Sequence, residues 1–178
     1  AKLNQAASIF ILIASLLSVL MSAESAFDQD YEEGSLELVV VSSNSLLIYS
    51  LAKSLAHWVV TFLPLILLVP FIGIGLFLDV EQIWVLCLGI LLVSPTIILL
   101  ASVGAAMTIS LPRNGVLIGL LVLPFYVPPL IFVTGLFEAA LLKQNVFPYV
   151  YWLIGLLFLA MGLAPSATSA CLRIAAED

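Results

Sequence analysis

Between Ile83 and Leu111 the chain carries no charged side chain, and the same holds from Val116 to Phe137. A helix of about 20 apolar residues spans the hydrocarbon core of a bilayer. In that core an α-helix satisfies its backbone polar groups internally. Uninterrupted runs of this length restrict the chain to lipid-spanning helices. Composition points the same way: 63% of residues are hydrophobic and 9% charged, with mean hydropathy +1.27, whereas soluble domains carry roughly 25% charged residues. A chain of 178 residues then has room for about five or six spans and almost no soluble domain. The fold class is all-α and polytopic, a single transmembrane domain over residues 1–178. A net charge of −6 argues against a nucleic-acid partner, and lipid is the obligatory surrounding.

Hydropathy and turn residues place five spans, at Ala6–Ala26, Leu46–Leu78, Ile83–Leu111, Val116–Glu138 and Tyr149–Ala176. Proline falls inside four of them: Pro64 and Pro70, Pro95, the group Pro124, Pro128 and Pro129, and Pro165. Proline removes a backbone donor, so kinks are expected, with a bend or a short unwound region at Pro128-Pro129. Ala101 and Ala105 are spaced for close helix contact. Tyr149, Tyr151 and Trp152 form an aromatic belt at the entry of the last span. The first turns of the second span, with Tyr49, Ser50, Lys53, Ser54 and His57, are amphipathic and expected at the membrane interface. Orientation follows Lys and Arg. Lys53, Arg113 and Arg173 fall on one side and Lys2 and Lys143 on the other, which favours a cytoplasmic acidic segment and C-terminus. Cys87 and Cys171 then lie near opposite surfaces, too far apart to bridge.

The polar break between the first two spans is the candidate for contact with something outside the bilayer. It holds Asp28, Asp30, Glu32, Glu33 and Glu37. Gly34-Ser35 reads as a turn with an N-cap, and Glu37 suits the positive end of the short helix that follows. That helix ends in the cap and turn residues Ser42-Ser43-Asn44-Ser45. An interfacial helix results, with Lys53 and His57 further along the chain. Lys53 reads as a snorkelling cation or a salt-bridge partner. His57, the only histidine, reads as a hydrogen-bonded structural group in preference to a metal or haem ligand, since no second ligand stands near it. Glu138, near the end of its span, reads as solvated. No HExxH, GxSxG or P-loop GxxxxGK[ST] occurs, and the two cysteines form no CxxC, so the chain reads as non-catalytic and without a metal site. Any active transport takes its energy from another subunit or from an ion gradient. A gradient-driven carrier carries buried ionisable residues, and the middles of these spans have none.

Phe27, Asp30 and Gly34-Ser35-Leu36-Glu37, followed by Ala52-Lys53, Ala56-His57-Trp58, Thr61 and Pro64-Leu65, resemble the haem exporter protein B (CcmB) family. This is the permease subunit of the cytochrome c maturation ABC transporter. The resemblance continues through Arg113-Asn114-Gly115-Val116-Leu117, Leu123-Pro124, Pro128, Leu130-Ile131-Phe132, Pro165, Ala167-Thr168, Ala170 and Leu172-Arg173-Ile174. Glu33 stands where the family pattern suggests Asp. The resemblance implies an ABC-2-like permease of six spans, the first lying before Ala6, and the chain opens at Ala1 instead of Met. It implies that residues 27–45 are a cytoplasmic coupling segment whose Glu33, Gly34, Ser35, Leu36 and Glu37 dock on a separate CcmA-like ATPase, with Lys53 and His57 as a further functional interface. It also implies CcmC-like and CcmD-like membrane partners, a CcmE-like haem chaperone, haem as cargo, ATP on the partner subunit and a bacterial inner membrane. The rival readings are a non-transporting scaffold for haem-handling subunits and the permease of another type-2 ABC exporter. A haem-attaching enzyme ranks last, because Trp58, Trp84 and Trp152 are scattered and no second histidine exists.

Overall fold

The computed structural model describes residues 45–75, 77–108 and 115–177, with side-chain surroundings for 45–75, 77–107 and 124–174. The predicted span Ala6–Ala26 and nearly all of segment 27–45 lie outside the described residues. The remaining four spans are helices: α1 Leu46–Gly75, α2 Val80–Thr108, α3 Gly115–Leu141 and α4 Phe147–Glu177. Each contains a stretch long and apolar enough to cross a membrane.

Local chemistry sets the helix ends. Asp79 precedes α2, and the Gln82 side chain accepts a bond from the Asp79 N–H at 3.0 Å, half of a capping box. This closure starts α2 three residues before the predicted Ile83. Asn145 Oδ1 accepts the Phe147 N–H at 3.0 Å at the start of α4. α3 ends in a Schellman closure: Gln144 N–H bonds Ala139 O at 2.8 Å, Lys143 N–H bonds Ala140 O at 3.2 Å, and Lys143 takes φ 53°. α1 ends the same way, through Leu78 N–H to Gly73 O and Phe77 N–H to Ile74 O, with Phe77 at φ 55°. Glycine is the usual residue in that left-handed position. The phenyl ring of Phe77 stands 90% exposed.

The prolines do not break the helices. α3 is continuous through Pro124, Pro128 and Pro129, so of the bend or short unwound region expected at Pro128-Pro129 the unwinding does not occur. Adjacent prolines release only two carbonyls. Unwinding would release further N–H and C=O groups where no water can take them, at several kcal/mol each.

The helices alternate in direction. Gly73 of α1 lies against Ile83 of α2, Gly89 of α2 against Leu136 of α3, and Gly135 of α3 against Tyr149 of α4. α2 is the central helix. It packs against the other three, and 50% of its spanning window is buried, against 17% in α1 and α4. The core runs along it: Phe62 and Val69 from α1, Val93 and Ile97 from α2, Leu136 and Phe137 from α3, and Leu153 from α4. Ala101 and Ala105 are buried, as their spacing predicts. The outward faces are as apolar as the core, with Val60, Leu67 and Phe71 on α1 and Phe158 and Leu163 on α4 all exposed. Such a surface suits lipid, whose chains cost nothing to contact. The predicted aromatic belt is outward-facing at Tyr151 and Trp152, and Trp152 stacks on Phe132 with ring centroids 5.2 Å apart. Tyr149 turns inward over Gly135.

At Gly135 an added Cβ would stand 2.5 Å from Tyr149 Cε1, whereas at Gly155 it would meet nothing within 4 Å. Gly135→Ala should therefore destabilise the purified protein by about 1–3 kcal/mol. Gly155→Ala should be neutral or stabilising by up to about 1 kcal/mol, both measured by unfolding in detergent.

Candidate functional site: a polar seam beside Lys53 and His57

The buried residues of α1 recur at helical spacing: Ser50, Ser54, Phe62, Val69 and Gly73. Trp58, half-buried, fills the gap between Ser54 and Phe62. The stripe changes chemistry along its length, with hydroxyls at the start of α1, then an indole, then hydrocarbon.

Two polar members of the stripe, Ser50 and Trp58, reach a partner on another helix. Ser50 Oγ lies 3.0 Å from Leu47 O in its own helix and 3.3 Å from Pro165 O in α4. Trp58 Nε1 donates to Ser94 Oγ of α2 at 2.9 Å. Ser102 Oγ of α2 donates to Leu99 O at 2.7 Å and stands 3.3 Å from Thr168 Oγ1 of α4. With the Ser102 proton committed to Leu99, Thr168 is the donor of that pair. Ser50, Ser94, Ser102 and Thr168 are all buried, Ser94 and Thr168 completely. α1, α2 and α4 are thus tied by hydrogen bonds over the end of the bundle where α1 begins and α4 ends. Their other half is held by hydrocarbon.

Ser50 and Ser54, on the turns expected at the membrane interface, are buried in the contact of α1 with its neighbours. The amphipathic pattern of these turns comes from a helix–helix seam, because a hydroxyl in lipid gains more from a neighbouring carbonyl than from an apolar face. The signal was present in the sequence as serines four apart in α1 and as Ser94, Ser102 and Thr168 within apolar helices. Spacing alone does not say which hydroxyl meets which.

Lys53 and His57 lie on the turns alongside this seam, both half-buried. Lys53 Nζ sits 6.0 Å from the Tyr49 ring centroid, four residues earlier on the same face, a cation–π distance. The two predicted interface residues therefore share one flank of α1, and the structure brings them beside the hydroxyl seam. Glu33, Gly34, Ser35, Leu36 and Glu37 lie outside the described residues. Glu138 is exposed one turn from the end of α3. Cys87 and Cys171 are free thiols near opposite ends of parallel helices.

Helices of spanning length with lipid-compatible outer faces, joined by a hydroxyl seam, define an α-helical multi-pass membrane protein. The family profile described as "CcmB protein" matches residues 1–175. The chain belongs to the CcmB family. It is 42% identical over 168 residues to the heme exporter protein B of Pseudomonas aeruginosa, covering 94% of this chain and 75% of that protein. It is 39% identical over 166 residues to the protein of that name from Haemophilus influenzae, covering 93% and 75%. For the Escherichia coli K12 protein of that name the identity is 41% over 167 residues, covering 94% and 76%.

A double-mutant cycle on Trp58→Phe and Ser94→Ala measures the α1–α2 tie directly. The coupling energy in detergent unfolding should be about 0.6 kcal/mol and no more than about 1.7, the range of hydrogen bonds between membrane helices. Ser94→Ala alone should cost more than the coupling term, because the indole N–H is left without an acceptor.

Proposed function

We propose that this chain is the permease subunit of an ABC exporter serving cytochrome c maturation, with the ATPase on a separate CcmA-like subunit and haem, or the haem-loaded chaperone, as what is moved or released. The observation that carries the reading is family membership over nearly the whole chain, together with relatives named heme exporter protein B. The chain's own features support it. The sequence has no nucleotide-binding P-loop, so an ATP-driven role needs a partner. The span interiors hold hydroxyls and an indole in place of ionisable groups, which suits a conformational transmitter better than an ion-coupled carrier.

In this reading residues 27–45 are the coupling segment, and Glu33, Gly34, Ser35, Leu36 and Glu37 meet the ATPase. Segment and helix are continuous in the chain, so a push on the segment passes directly to α1. Lys53 and His57, on the flank of α1, form a second contact surface for the neighbouring subunits, which are CcmC-like and CcmD-like membrane proteins and a CcmE-like chaperone. The chain itself performs no bond chemistry. Its membrane is the bacterial inner membrane.

Affinity purification of the full-length protein in mild detergent should bring down a soluble ATPase. Gly34→Pro or Glu37→Lys should reduce its recovery about tenfold or more, the effect of losing a central interface residue, with membrane insertion unchanged. Undiminished ATPase recovery with both variants overturns the coupling assignment. Absence of any ATPase from the wild-type preparation favours the scaffold role.

A further inference from the structure

The seam's hydrogen bonds are not equivalent, and the difference assigns them different mechanical roles. Ser50 has one hydroxyl proton and two carbonyls within reach, Leu47 O at 3.0 Å in its own helix and Pro165 O at 3.3 Å across the seam. If α1 parts from α4, the proton stays with Leu47 and no donor is stranded. Pro165 O keeps its place in the backbone ladder of α4. Opening at this point therefore leaves no buried group unsatisfied, the usual obstacle to separating polar groups in lipid. Trp58 is the opposite case. An indole N–H is a donor only, so parting it from Ser94 Oγ would strand it beside the completely buried Ser94.

Packing agrees with this division. Near Ser50 the apolar contact is small: Leu51, itself half-buried, meets Leu99, Ala160 and Ala164. Beyond Trp58 the large buried side chains begin, with Phe62, Val93 and Ile97. Pro95 follows Ser94 directly inside α2, and a helix flexes most readily where proline has removed a ladder bond.

We propose that Ser50 and the Pro165 carbonyl form a releasable latch, with Trp58–Ser94 as the pivot below it, so that the first three turns of α1 swing away from α4 while the apolar half of the bundle stays closed. The device rests on the coupling role proposed for residues 27–45, which lead directly into these turns. Its existence can be measured without that role.

The test uses the full-length protein with Cys87 and Cys171 replaced by serine and a reporter cysteine at one buried α1 position, Ser54→Cys in the seam or Val69→Cys in the apolar half. Labelling by a water-soluble maleimide reads the opening of each half. Ser50→Ala should raise the labelling rate at position 54 about threefold, the shift that loss of one membrane-buried hydrogen bond makes in an opening equilibrium, and leave position 69 unchanged. Ser50→Thr, which keeps the hydroxyl, should restore protection at position 54. Trp58→Phe should raise labelling at both positions. Equal increases at 54 and 69 on Ser50→Ala, or none at 54, overturn the latch. A further arm adds ATP to the protein assembled with its ATPase. Faster labelling at 54 alone supports the latch as the output of coupling. No response to ATP, with the Ser50→Ala result as expected, retains the latch and rejects the coupling role assigned to residues 27–45.

Discussion

Hydrocarbon offers no partner to a hydrogen-bonding group, and each part of this structure answers to that. The backbone answers by staying helical through the prolines of the four described helices, including the adjacent pair in α3. The side chains answer by pairing: each hydroxyl for which a bond is described in α1, α2 and α4 finds a carbonyl or another hydroxyl, and the Trp58 indole finds Ser94. Association of helices in lipid cannot draw on the hydrophobic effect, because the outer faces are already solvated by apolar chains. What selects the arrangement is close packing, through Gly73, Gly89 and Gly135, together with the polar seam.

The bundle is consequently uneven along its length. One half is filled with the buried side chains of Phe62, Val93, Ile97, Leu136 and Phe137, and close-packed interiors resist rearrangement. The other half is joined by small side chains and by bonds of which at least one has a ready substitute within its own helix. A membrane subunit that moves in response to a partner needs such a division between a fixed and a separable part. The placement of the separable part at the start of α1, next in sequence to the acidic segment, gives the proposed coupling a physical route.

Much of this was legible in the residues. Unbroken apolar runs and the turn chemistry at Asp79 and Asn145 located the helices to within a few residues, because length and capping are local properties. The resemblance carried by the motif around Ala52–Trp58 pointed to the family that the wider comparison supports. Of the bend or short unwound region expected at Pro128-Pro129, the unwinding does not occur, because opening a helix in lipid costs more than the donors the prolines remove. The hydroxyls in the first turns of α1 mark a polar face in the sequence, but polarity in a helix does not say whether water or another helix covers it.

The sequence by itself determined the all-helical, membrane-spanning character of the chain, the direction changes between helices and the family to which it belongs. These follow from hydropathy, capping and motif, each readable within a window of one helix. The tertiary structure alone decided that α2 is the centre, that Trp58 meets Ser94, and that Ser50 reaches Pro165 across 115 positions of chain. Rotation of each helix about its axis sets those pairings. In helices apolar on nearly every side that rotation is specified only by packing and by a few buried hydrogen bonds.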